Sequence, residues 1–211
     1  MKFVLFVEGE TEQKALPKFL KRWLDPRLSS KVRVQPVLFV GWSDLVKNLV
    51  KKAHAHLNGP GASEIIGLIS VLDLQGPDFY PRDKTTSSQR YAWAKAELER
   101  RVEHPKFRQH FAVHDCEAWL LSDLEIFPRE VGQHLPGKCQ QPETVNFNEP
   151  PNRLLQRFYR ERLGETYKKI IHGSELFEQL DPVVTREKCP RFRDMLDDML
   201  ALAGKAGLTR V

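Results

Sequence analysis

The sequence has no apolar run long enough to span a bilayer, and its first apolar stretch, FVLFV after Lys2, stops at Glu8 without a leader-type cleavage site. A membrane protein is therefore excluded and a cytoplasmic location expected. Cysteine is scarce: Cys116, Cys139 and Cys189 are odd in number and far apart, which rules out a disulfide framework and a CxxC zinc site. They read as reduced, structural residues. Neither GxxxxGKS/T nor GxSxG occurs, so P-loop hydrolysis and serine-hydrolase chemistry have no support. Internal repeats and low-complexity tails are also lacking. Charge is plentiful in both signs, 33 Lys and Arg against 28 Asp and Glu, and the net +5 leans toward polyanionic partners without being extreme.

At 211 residues, one α/β domain with extensions is the natural size. KFVLFVE is a continuous apolar run suited to a strand buried on both faces of a parallel sheet and ending at Glu8. From Thr11, a candidate N-cap, Ala15, Leu16, Phe19, Leu20, Trp23 and Leu24 recur at helical spacing. Residues 32–40 form a second strand, with Pro36 pointing to a sheet edge. A helix capped by Ser43 extends to Leu57, and a third strand over 64–72 delivers Asp73 at its carboxyl end. Gly76 to Arg90 is too polar and proline-rich for an element and reads as a surface loop beside Asp73. A helix over 88–102 and a fourth strand over 107–115 follow, then a helix starting at Glu117. The alternation predicts a parallel α/β core over 1–125, and short helices at 151–163, 166–171, 174–180 and 190–204 predict a helical extension over 126–211 packed on it.

Ligands of an open parallel sheet collect beyond the carboxyl ends of its strands. Glu8, Asp73 and the Asp115–Glu117 pair fall there, and Glu12 lies one helical turn beyond Glu8. Crowded carboxylates raise one another's pKa unless a cation lies between them. Oxygen ligands without suitably spaced His or Cys point to Mg2+ or Mn2+. Taken singly, each acid also suits a solvated strand end or helix start; the order VEGETE, VLDLQG, HDCEAWL favours a site. Arg82, Lys84 and Arg90, interleaved with Phe79 and Tyr80, are candidate nucleic-acid contacts, as are Arg157 and Arg160 on a basic helix. The bland readings are a solvated loop and an ordinary amphipathic helix. His54 and His56 are spaced to point to different sides of a helix; His114, beside Asp115, is the one histidine placed to join the site, with a structural role as its first reading.

VEGETE directly after an apolar strand, followed by a strand ending in Asp about 65 residues on, resembles the Toprim domain of topoisomerases, primases, small ribonucleases and OLD-family nucleases. HDCEAWLLSD, YKKIIHG and CPRFRDML are more narrowly similar to the bacterial Toprim-like proteins of domain of unknown function family 4276. The resemblance implies a Toprim-like Rossmannoid fold, one or two Mg2+ or Mn2+ ions, and Glu8 and Asp73 as principal site residues. By likeness to OLD-type nucleases it further implies Glu12, Asp115 and Glu117 as additional ligands and Lys168 or Lys169 as the transition-state cation. Gln75 stands where the second acid of a DxD motif belongs, offering a metal a carbonyl without charge. Expected partners are DNA or RNA and a separately encoded ATPase in a phage-defence setting, with a homo-oligomer left open. Topoisomerase and primase identities are not expected at this length. A non-catalytic module binding nucleic acid or a partner is the alternative.

Overall fold

The computed structural model describes residues 1–137, 141–143 and 149–208, so Cys139 lies outside the described residues. Its centre is a four-stranded, all-parallel sheet of order β2-β1-β3-β4, built from β1 (Lys2–Val7), β2 (Arg33–Leu38), β3 (Ile65–Asp73) and β4 (Phe107–Ala112). Successive side chains of a strand face opposite ways, and the apolar runs fill both layers. Phe3, Leu5 and Val7 pack into one layer, Val4 and Phe6 into the other.

Helices α1 (Glu10–Leu24), α2 (Gly41–Leu57) and α3 (Ser87–Val102) make the crossovers. α1 covers one face, α2 and α3 the other. The chain thus reverses its winding at β1, and a crevice opens beyond the carboxyl ends of β1 and β3. Beyond the last strand follow α4 (Glu117–Leu120), α5 (Arg129–Gly132), α6 (Pro151–Leu163), α7 (Lys169–Gln179), α8 (Pro182–Lys188) and α9 (Pro190–Lys205). α9 lays Phe192, Met195, Leu196, Met199 and Leu202 into the α1 layer. At about 1.5–3 kcal/mol per large side chain, their burial contributes on the order of 10 kcal/mol before chain entropy is counted. Its first turn is tied down by Glu143, which accepts from Arg191 N at 2.6 Å, Phe192 N at 3.3 Å and Trp119 Nε1 at 3.1 Å.

The sheet edges are specific. Arg33 N and Phe39 N donate inward to Met1 O and Val7 O, so the period of two places Pro36, which has no N–H, on the outward row of β2. On β4, the side chains of α3 take the Gln109 backbone: Glu99 accepts its N–H at 3.0 Å and Lys95 donates to its carbonyl at 3.0 Å.

Several expected boundaries move. Gly9, not Thr11, is the N-cap of α1, and α2 begins at Gly41 rather than after Ser43. β4 ends at Ala112, three residues before Asp115, because His114 adopts a left-handed φ of 74° and turns the chain. The two short helices expected over 166–171 and 174–180 are one helix, α7, while α8 has no counterpart in the sequence reading. α3 starts in what reads as loop, secured by a reciprocal cap between Thr86 and Gln89. Among the described residues, no helix is long and apolar enough to cross a membrane.

Candidate metal centre

β1 ends one residue before Glu8, whose Oε1 accepts the Asp73 backbone N–H at 2.6 Å and thereby ties β1 to the end of β3. Asp73 in turn accepts the Cys116 N–H at 3.1 Å through Oδ1. The His114 turn makes that bond available, since it directs the chain after β4 back across β3. A non-glycine residue at such a φ costs on the order of 1–3 kcal/mol, a price the surrounding contacts must hold in place. Asp115 accepts from Asn152 N at 3.2 Å, and Glu117 opens α4. Glu12 reaches the same crevice from the first turn of α1.

The sequence-predicted acids Glu8, Glu12, Asp73, Asp115 and Glu117 are therefore brought together at one sheet edge. Glu12, Asp115 and Glu117 are buried, and the Asp73 side chain is 17% exposed. Of the two candidate lysines only Lys169 joins them. It is the first residue of α7, and its Nζ stands 3.2 Å from Glu117 Oε2, 3.4 Å from Glu12 Oε1 and 3.9 Å from Asp73 Oδ2. Lys168 is exposed, and its backbone N–H donates to His172 Nδ1 at 3.0 Å.

Two glycines shape this approach. A Cβ on Gly173 would lie 3.1 Å from the Tyr167 hydroxyl and 3.2 Å from Thr11 Cγ2, so its absence lets α7 close on α1 one turn beyond Lys169. A Cβ on Gly9 would lie 2.2 Å from Glu12 Oε2. Gly9 has an extended φ of −133° that any residue adopts, so the glycine of VEGETE serves to make room for the Glu12 carboxylate. Gly9→Ala should leave the fold intact, displace Glu12 and weaken Mn2+ binding by about 10- to 100-fold, the scale of a disturbed ligand support. Titration calorimetry checks this; unchanged affinity would remove Glu12 from the ligand set.

The electrostatics are those of too many acids for one ammonium. Burial pushes the Glu117 carboxyl up to about 8, with Asp115 and Glu12 adding to the rise against Lys169. Burial likewise lifts Asp115 and Glu8 to about 6 each and Asp73 well above its ordinary value. For Lys169 burial acts downward, but Asp73, Glu117 and Glu12 overcome it and keep it firmly protonated.

Both carboxylate oxygens of Glu12 and of Glu117, together with Asp115 Oδ1, are buried and accept no hydrogen bond among the described residues. The Lys169 contacts are ion-pair distances without hydrogen-bond geometry. Orphaned, buried carboxyl oxygens, which a cation would hold in the ionised form, are the donor set a hard divalent ion takes. Ligand atoms of Glu12, Asp73 and Cys116 also lie within 4.8 Å of one another, a spacing that can hold a metal ion. The thiol is an addition to the expected oxygen-only set. Burial holds Cys116 well above its ordinary pKa, so it stays protonated and leaves the oxygens as the stronger donors.

Other candidates lie elsewhere. Gln75 is exposed beyond β3, in a shallow cavity of about 160 Å³ with Leu74, Ser87, Arg90 and His114, outside the buried group. Arg90 stacks over Tyr80 at 5.2 Å and donates to the Lys84 carbonyl at 3.1 Å; Arg82 is exposed. Arg157 is engaged by Glu149 at 2.9 Å, whereas Arg160 is exposed. His54 and His56 serve the fold: His54 bonds the Val102 carbonyl at 2.9 Å, and His56 packs edge-on against Phe6. Sequence reasoning missed Cys116 and Tyr167. The Tyr167 hydroxyl is buried without a hydrogen-bond partner among the described residues, in the field of Glu117, Lys169 and Asp115. The only signals for them were their places inside HDCEAW and YKK.

Parallel strands wound on both faces, with a buried carboxylate group at the switch point that can hold a metal ion, define a doubly wound α/β protein with an acidic crevice. The chain belongs to the family described as domain of unknown function (DUF4276), which matches residues 7–200. Comparison with curated proteins gives no match. Among solved structures the chain is similar to the C-terminal region of the Burkholderia pseudomallei OLD protein, with 15% identity and a TM-score of 0.47, over 95% of this chain and 98% of that one.

Proposed function

We propose that the protein is a Mg2+- or Mn2+-dependent nucleic-acid phosphodiester hydrolase, a nuclease of the Toprim type, working in a bacterial phage-defence system with a separately encoded ATPase. The observation that carries the chemistry is the convergence of five carboxylates, three of them with orphaned buried oxygens, around the single ammonium of Lys169. Glu12, Asp73, Asp115 and Glu117 hold the ion or ions. A divalent ion there supplies Lewis-acid stabilisation of the charge that builds on a phosphoryl group.

The protein's own groups do the rest. Glu8, half-buried with a carboxyl near 6, is poised to accept a proton from an attacking water at neutral pH. Lys169 carries a fixed positive charge at the crevice, where it can face the scissile phosphate. Arg82, Lys84 and Arg90, on the segment that follows β3 and the start of α3, suit sugar-phosphate contacts; Arg160 on α6 is exposed and suits the same role, with Arg157 partly spent on Glu149.

Incubation with single-stranded and nicked DNA and with RNA should show slow cleavage in Mn2+, weaker cleavage in Mg2+ and none with chelator. Gln75 favours a second reading, a non-catalytic module that holds an ion and nucleic acid, because it is neutral and stands outside the buried group. Gln75→Asp separates the two: a limiting missing charge predicts a faster enzyme. If wild type and variant both bind nucleic acid yet stay inert, with or without a partner ATPase, the binding module replaces the nuclease.

A further inference from the structure

The lysine and the prospective ion compete for the same oxygens. Lys169 Nζ contacts Glu12 Oε1 and Glu117 Oε2 at 3.4 and 3.2 Å. An ion bound to either oxygen at about 2.1 Å could lie no farther than roughly 5.5 Å from that ammonium. This is well inside the screening length of physiological salt. Both cannot rest there at low cost.

Among the described residues, the acids alone hold the ammonium in place. Lys169 is the first residue of an eleven-residue helix, at the end where exposed backbone N–H groups repel a positive charge. Its side chain is 33% exposed, so the stem has a route to solvent, and Lys168 beside it is exposed already. Once a cation neutralises Glu12 and Glu117, the helix end and the ion both push outward.

We propose that Lys169 is the resident counter-ion of the crevice, and that a divalent ion binding among Glu12, Asp73 and Glu117 expels its ammonium to the crevice mouth, where it becomes free to meet a substrate phosphate. The inference rests on the metal-site reading above. It makes Lys169 a residue positioned by metal loading: without an ion the acids retain it, and with an ion it is presented outward.

Two measurements test this. In the wild-type protein, acylation by an amine-reactive reagent is followed at Lys169 by peptide mass spectrometry, with Lys168 as internal reference. Mn2+ should raise the Lys169-to-Lys168 labelling ratio several-fold; an unchanged or lower ratio overturns the proposal. In Lys169→Met, which keeps the stem and removes the charge, calorimetry should show Mn2+ bound at least tenfold more tightly than in wild type while cleavage falls. Equal or weaker binding overturns the exchange, and the wild-type labelling ratio distinguishes an expelled ammonium from one that merely repels the ion in place. If Lys169→Met folds only with Mn2+ present, the wild-type labelling ratio decides. Failure of Mn2+ to bind wild type and variant alike sinks the metal-site reading and this inference together, whereas binding without a change in labelling sinks this inference alone.

Discussion

Asp73→Ala should abolish Mn2+-dependent cleavage, lowering the rate roughly a thousandfold, while the circular dichroism spectrum stays that of the wild type. The magnitude follows from the several kcal/mol of charge stabilisation a catalytic ion supplies, at about 1.4 kcal/mol per factor of ten. Asp73 is the junction of the site: its N–H holds Glu8, its Oδ1 receives the Cys116 N–H, and its Oδ2 faces Lys169. The backbone bond to Glu8 survives the substitution, so β1 and β3 stay joined. Folding should therefore be spared. Retention of more than about a tenth of the activity in a folded Asp73→Ala protein would place the chemistry elsewhere.

The second large effect is a stability profile that runs opposite to ordinary acid denaturation. Burial raises Glu8 and Asp115 to about 6, Glu143 to about 7 and Glu117 to about 8. A carboxyl whose folded pKa exceeds its unfolded value contributes stability that is complete below the unfolded pKa and lost as pH rises through the folded one. His56, His104 and His110, lowered chiefly by burial, act in the opposite sense below their ordinary 6.5. The decline should therefore be clearest between about 6.5 and 8, where Glu143 and Glu117 ionise. Without metal, the melting temperature should fall across that interval. Mn2+ at a hundredfold excess over its Kd should add about 2.7 kcal/mol, or roughly 5–10 °C for a chain of this size, and flatten the profile. Glu117→Gln should raise the metal-free melting temperature at pH 8 and blunt the gain from Mn2+. Calorimetric scans at pH 6.5 and 8, with and without the ion, decide it. A metal-free melting temperature that climbs over the same interval would mean that Glu117 is ionised and satisfied without a cation.

Strand ends were legible because they are marked twice in the sequence, by the close of an apolar run and by an acid. Glu8 after FVLFV and Asp73 after LISVL both carry that double mark, and Pro36 announced its edge position by the N–H it lacks. The choice between Lys168 and Lys169 was not legible. One residue turns a helix face by about 100°, and the N-cap of α7, Lys168, makes no side-chain cap bond that would mark the start of the helix. Cys116 escaped for a related reason, since its part in the site comes from a backbone N–H aimed by the left-handed turn at His114, and nothing in HDCEAW marks that residue for a positive φ. The cap of α3 was readable in TTSSQ, where Thr86 precedes Gln89 by three, but its polarity resembled a loop.

The treatment of the sheet's two outer strands limits how this protein can associate. An open parallel sheet ordinarily offers its flanks as templates on which an extended peptide, or another molecule's strand, can continue the hydrogen-bond ladder. Here Pro36 interrupts the donor row on one flank, and Lys95 and Glu99 already satisfy Gln109 on the other. Continuation of the ladder is closed at the middle of β2 and at Gln109, so assembly by β-augmentation is disfavoured, and a protein partner or second copy is left the helical surfaces for its docking.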